Sequence, residues 1–223
     1  MDLSTHAPTA LQAALQTDDW FAACPHALQQ QLLGLARWRR LAPDEPLFAR
    51  GGDADGLCCV AAGALRIGAH DAEGQAAVLA YLEPYQWFGE ISMIDSLPRT
   101  HDAVADVASQ VLVVPRADLL AWLDTHPVYW RDMARLACRK LRVAFVVLEE
   151  LAQLPLEERV LRRLQLLAMG YGSRDVARRR VRVAQDVLAR MLGVSRQSTN
   201  KALKQLEARG ALRLHYGEIE LLD

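Results

Sequence analysis

Residues 184–206, AQDVLARMLGVSRQSTNKALKQL, hold two short helical runs separated by a turn. Over 185–191, Val187, Leu188 and Met191 share one apolar face at helical spacing. Gly193 then offers the left-handed conformation that ends a helix sharply, and Ser195 is a hydroxyl N-cap for a second helix. At about 100° per residue, that second helix places Thr199, Ala202, Leu203 and Leu206 on one side, and Arg196, Gln197, Asn200, Lys201 and Lys204 on the other. Two helices at an angle joined by so short a turn make a helix-turn-helix. The polar side carries donors and no carboxylate until Glu207. Arg reads guanine, Gln and Asn read adenine, and Lys holds phosphate, so this face has the chemistry of the DNA major groove. A merely solvated helix interleaves Glu with Lys, and this one does not.

Outward from the motif, Gly210 stops the second helix, and 212–216 and 218–222 flank Gly217 as a small hairpin, which predicts a winged helix-turn-helix. Arg213 and His215 of the hairpin can approach phosphate. On the other side, 156–169 is an amphipathic helix followed by a polar loop over 170–180, so a domain boundary falls near Pro155. Charge divides at the same point. Residues 156–223 hold 14 Lys and Arg against 8 Asp and Glu, net +6, and residues 1–155 hold 12 against 19, net −7. A basic C-terminal piece on an acidic body points to a polyanion partner for that piece alone.

From Pro127 a helix can run without Gly or Pro to Pro155. In it Ala134, Leu141 and Leu148 recur every seven residues, with Ala137, Ala144 and Leu151 three positions after each. This seam predicts pairing with the same helix of a second subunit, and packing onto the chain's own β-domain is the alternative. Before it, 115–123 reads as a short helix. From 41 to 114 short apolar runs (57–62, 64–67, 76–82, 110–114) alternate with turns at Gly51-Gly52-Asp53, Ala62-Gly63 and Glu73-Gly74, the pattern of an antiparallel β-roll. A packing helix is predicted over 27–38, after a polar N-terminal stretch. The fold class is therefore α+β: a β-roll domain (1–126), a long dimerisation helix (127–155) and a winged helix-turn-helix domain (156–223).

Cys24, Cys58, Cys59 and Cys138 lack CxxC or iron–sulfur spacing, and no metal-ligand pattern or activated nucleophile emerges, so neither a metal site nor an enzyme is expected. The chain has no apolar run near the ~20 residues of a membrane span and no signal-peptide pattern at its start, which predicts a cytoplasmic protein without membrane association.

In this order of elements the chain resembles the cyclic-AMP receptor protein and FNR (Crp/Fnr) family of bacterial regulators over about residues 20–223. The resemblance is most specific in Phe88-Gly89-Glu90-Ile91-Ser92, in Leu97-Pro98-Arg99-Thr100, and in Leu192-Gly193-Val194-Ser195-Arg196-Gln197 with Leu206-Glu207 behind it. It implies a cyclic-nucleotide-binding domain in which Gly89, Glu90, Ile91 and Ser92 start a short helix facing a phosphate. Glu90 would accept a bond from a ribose hydroxyl, Arg99 would pair with the phosphate and Thr100 would add a hydroxyl. The hydroxyl pair that meets adenine in the cyclic-AMP receptor protein falls on Ala144-Phe145, which supply no such bonds. Phe145 can stack on a base or close the pocket instead. Cyclic AMP, cyclic GMP and cyclic di-GMP all stay open as effectors. So do a member without nucleotide ligand, a redox sensor, a haem sensor using His70, His101 or His126, and a nucleotide-binding module without DNA. The resemblance further implies a homodimer paired over 134–151 on a pseudo-palindromic duplex operator, contacted through Ser195, Arg196, Gln197, Asn200, Lys201 and Lys204. RNA polymerase is a further partner of such a regulator.

Overall fold

The computed structural model describes residues 8–70, 76–170 and 179–222. The expected turn at Glu73-Gly74 and most of the 170–180 loop lie outside them. The chain divides into two compact units, one of residues 1–65 and 82–138, the other of residues 66–81 and 139–223.

The first unit opens with three helices, α1 (Pro8–Leu15), α2 (Asp19–Ala23) and α3 (His26–Leu35). The first two fall in the N-terminal stretch read as polar, although Leu11, Leu15, Trp20 and Phe21 give it apolar anchors. Asp18 starts α2 by accepting from the Phe21 N–H, and Trp20 and Phe21 turn inward. α3 ends three residues earlier than its apolar spacing predicts, because Ala36 is extended and Trp38 belongs to strand β1 (Arg37–Leu41). Strands β2 (Pro46–Phe48), β3 (Gly56–Ala62), β6 (Trp87–Phe88), β7 (Asp102–Ala105) and β8 (Ser109–Pro115) follow. One antiparallel sheet runs β1-β8-β3-β6, and β2 pairs antiparallel with β7. Short α4 (Glu90–Asp95) follows β6, and α5 (Arg116–Thr125) closes the unit's strands.

The core of this unit lies between the sheet and the helices. Trp87 stacks on Phe21 (ring centroids 5.5 Å apart) and meets Trp20 edge-on (5.6 Å). Leu28, Leu32, Leu112, Leu119 and Leu123 surround them, and Met133 and Leu136 from the long helix complete the packing. The Trp20 indole N–H donates to the Asp132 carbonyl (2.6 Å), a tie between residues 112 apart in sequence.

That long helix is α6 (Trp130–Gln153), entered through a 3-10 turn at Pro127–Tyr129. Its first two turns bury Asp132, Met133 and Leu136; beyond them Leu141, Phe145, Val146, Leu148 and Leu151 are exposed. The second unit contains the neighbouring strands β4 (Leu65–His70) and β5 (Ala76–Leu82), then α7 (Leu156–Ala168), β9 (Arg180–Val181), α8 (Gln185–Leu192), α9 (Arg196–Ala208), β10 (Leu212–His215) and β11 (Glu218–Leu221). The wing has three strands, in the order β10-β11-β9, where the sequence reading predicts two. β9 has only two residues, too few to carry a period. Val160, Leu164, Leu167, Leu188, Met191, Leu203, Leu206, Leu212 and Ile219 are buried in this unit. No helix among the described residues is long and apolar enough to cross a membrane.

Candidate functional site

The turn between α8 and α9 forms as its residues dictate. Gly193 sits at φ 65 and ends α8, its N–H on the Ala189 and Arg190 carbonyls, and the Val194 N–H returns to Ala189 (3.1 Å). Ser195 Oγ accepts from the Ser198 N–H (3.1 Å), capping α9. Thr199 is fully buried and donates its hydroxyl to the Ser195 carbonyl (3.1 Å), which fixes the first turn of the helix. Ala202, Leu203 and Leu206 are buried beside it. Arg196, Gln197, Lys201 and Lys204 are exposed and Asn200 is half-buried, so the six residues from Ser195 to Lys204 that the sequence singles out stand together on the outer side.

Two residues support this face: Arg163, which sequence reasoning passed over, and Glu207, which it named without a structural role. Arg163 of α7 is buried and donates to the Met191 carbonyl (2.9 Å) at the end of α8, bracing the turn from behind. Glu207, the first carboxylate after the donor run, accepts from the Leu214 N–H (2.7 Å) and so ties the wing to α9. In the wing, Arg180 and Arg182 pair with Glu218 (3.2 and 3.1 Å), and Arg213 and His215 with Glu220 (3.8 and 2.9 Å). The His215 hydrogen bond first, then the Arg180, His215 and Arg213 charges, hold the Glu220 carboxyl below its usual range against some desolvation. Arg213 and His215 are therefore partnered within the sheet.

The second constellation sits in the first unit around Arg99. Its backbone is zipped to the glycine turn, N–H to the Gly52 carbonyl (2.9 Å) and carbonyl from the Gly51 N–H (2.8 Å). Its guanidinium lies over the Phe48 ring (4.1 Å to the centroid). Nη1 donates to the Gly89 carbonyl (3.1 Å), and Nη2 to the Gly56 carbonyl (2.6 Å) and to Asp55 Oδ1 (2.5 Å). The Arg99 side chain is 2% exposed and that of Asp55 45%. Its Nε–H is buried with no hydrogen-bond partner. Gly89 has φ 89, and a Cβ there would stand 2.7 Å from Arg99 Nη1. Glu90 is buried at the start of α4, Ser92 Oγ donates to the Pro98 carbonyl (3.3 Å), Ile91 is exposed, and the Thr100 hydroxyl meets His101 Nδ1 (2.9 Å). Gly89 thus meets Arg99, with Glu90 next to it in the chain; Phe48 and Asp55 are neighbours of Arg99 that the sequence reading did not name, Asp55 being 44 residues from its partner. Phe145 is exposed on α6.

Of the four cysteines, all free thiols, Cys138 is exposed. Cys24, Cys58 and Cys59 are buried, and burial first, with Asp18 and Cys58 adding, pushes the Cys59 thiol well above its ordinary value. Among the described residues no cluster of His, Cys, Asp or Glu forms a metal site.

Residues 38–126 match the family model of the cyclic nucleotide-binding domain and residues 158–223 that of the Crp-like helix-turn-helix domain. The cyclic AMP receptor protein of Thermus thermophilus is 32% identical over 187 residues, 83% of this chain and 84% of that protein. The chain belongs to the Crp/Fnr family of transcription regulators. A further Crp relative, the CRP-like cAMP-activated global transcriptional regulator of Mycobacterium tuberculosis, is 29% identical over 179 residues, 79% of this chain and 80% of that one. The fold is also that of the c-di-GMP-responsive global regulator CLP of Xanthomonas campestris (TM-score 0.70, 22% identity, 89% of this chain and 100% of that one). It is likewise that of FixK2 from Bradyrhizobium japonicum (TM-score 0.74, 21% identity, 84% and 93%). As a Crp/Fnr protein the chain is a DNA-binding regulator and not an enzyme.

Proposed function

We propose that the chain is a homodimeric, sequence-specific repressor or activator in the cytoplasm, gated by a cyclic nucleotide or cyclic dinucleotide at Gly89, Glu90, Arg99 and Thr100. The observation that carries the DNA half is the outer side of α9, where Arg196, Gln197, Asn200, Lys201 and Lys204 present donors over a helix whose inner side is buried. Major-groove base edges and phosphates are the partners that such a row fits. The dimer is supported by α6, on which Leu141, Leu148 and Leu151 of the heptad seam are each about half exposed or more (53%, 60%, 48%), with Phe145 beside them at 56%. Pairing of two copies through 134–151 covers them and sets two recognition helices on two half-sites.

The ligand half rests on Arg99. A buried guanidinium with a free Nε–H, beside a left-handed glycine and a buried Glu90, has the donor set for a phosphate. The Thermus and Mycobacterium relatives carry cyclic AMP in their names, which favours a cyclic mononucleotide. Ala144 and Phe145 offer no adenine hydroxyl bonds, so discrimination of the base falls to other contacts. One observation favours a second reading, a member without nucleotide ligand: Asp55 already answers the Arg99 charge.

Calorimetry of the purified protein against cyclic AMP, cyclic GMP and cyclic di-GMP, repeated with Arg99→Ala, tests the ligand half. Heat from one of them that vanishes in the variant is expected. Silence from all three leaves the ligand-free reading. Gel-shift titration with genomic fragments at controlled salt tests the DNA half, and a chain that shows no competitor-resistant complex is not a specific regulator.

A further inference from the structure

We propose that Asp55 is an internal rival of the effector for Arg99: its carboxylate already answers the positive charge that the effector's phosphate would answer, and it thereby sets the concentration at which the protein responds. This deepens the reading of Arg99 as the effector's anion partner and rests on it.

The guanidinium has five N–H donors. Three are engaged, one by the Gly89 carbonyl, one by the Gly56 carbonyl and one by Asp55. The two carbonyls are backbone and belong to the wall of the fold. The Phe48 ring covers one face of the cation. Of the three acceptors bonded to the Arg99 guanidinium, Asp55 is the charged one, and with its side chain 45% exposed against 2% for Arg99 it is the one that solvent meets. A carboxylate and a phosphate are the same kind of ligand for a guanidinium, each an oxyanion accepting charge-assisted bonds. Two of them on one cation repel each other, so the second enters more readily as the first leaves.

The backbone makes that exchange local. The Asp55 carbonyl accepts from the Arg116 N–H (2.9 Å), and the Gly51-Gly52 turn is bonded in both directions to Arg99. Rotation of the Asp55 side chain frees the guanidinium without opening the loop. The cost of that rotation enters the apparent affinity as the fraction of molecules whose Arg99 is free: with one molecule in about ten free, binding is weakened about tenfold.

The test is calorimetry of the full chain and of Asp55→Asn, which keeps shape and removes charge, against cyclic AMP, cyclic GMP and cyclic di-GMP. Asp55→Ser serves as a second variant, with thermal melting as the check that each is folded. The expected result is affinity at least about tenfold tighter in both variants for the nucleotide that binds, abolished when Arg99→Ala is added. Binding by the unaltered chain that is equal or weaker in the folded variants overturns the role of Asp55 and leaves Arg99 as the anion partner. Absence of heat in the unaltered chain and in both variants overturns the anion-site reading, and this inference with it.

Discussion

Gly89 shows how narrow the tolerance around the anion site is. Its φ of 89 is left-handed, and the Cβ of an alanine would meet Arg99 Nη1 at 2.7 Å and the Gly56 carbonyl at 3.0 Å. Gly89→Ala is expected to cost about 1–3 kcal/mol in denaturant unfolding, from backbone strain and from moving the guanidinium. Close by, His101 is pushed below its ordinary 6.5 by burial first and by the Arg50 charge second, with Asp102 opposing. The fold therefore prefers the neutral ring, and the unfolded chain binds the proton more readily. Stability is full above pH 6.5, falls as the pH drops through 6.5, and levels below the folded value. Between about pH 7.5 and about pH 5, the melting temperature of the unaltered chain is expected to fall further than that of His101→Gln. Parallel curves contradict this. Of these residue-scale features, Gly89, Glu90 and Arg99 were legible in the sequence because they sit in short motifs. Asp55 and Phe48 were not, since an acidic residue in a glycine-rich turn and a lone aromatic are ordinary, and only the folded chain brings them to Arg99.

At the scale of elements, α9 divides the work between its two sides. Thr199, Ala202, Leu203 and Leu206 fix it to the domain, and the opposite side is left for a partner. If Arg196 reads a base, Arg196→Ala lowers the preference for operator over random duplex, with a loss of about 1–3 kcal/mol on the operator. Lys204→Ala instead weakens both about equally and lowers the salt slope by about one. Equal losses on operator and random duplex in both variants remove the assignment of Arg196; titration by fluorescence anisotropy reads either outcome. The helix-turn-helix was legible because its period, its glycine and its cap agree over some twenty residues. The short elements were not. β2, β6 and β9 have three, two and two residues, so long-range pairing rather than local pattern forms them, while α1 and α2 are too short to show a sustained helical period.

For the whole molecule, the outward apolar residues of α6 and the donor side of α9 have to be explained together. A chain that pairs through 134–151 carries two recognition helices related by a two-fold axis, and half-sites about 34 Å apart on DNA then follow from geometry. Leu148→Glu places a charge on the seam and is expected to shift sedimentation from dimer to monomer while each chain stays folded by circular dichroism. A dimer that survives the substitution moves the contact elsewhere. The most direct measurement is selection of bound sequences from a random duplex pool by the full chain, with and without cyclic AMP, cyclic GMP or cyclic di-GMP. Enrichment of an inverted repeat whose half-sites are centred about one helical turn apart is expected, stronger with the nucleotide that binds. A pool that stays random under every condition, or one that converges on a single unrepeated site, contradicts a dimeric reader of DNA.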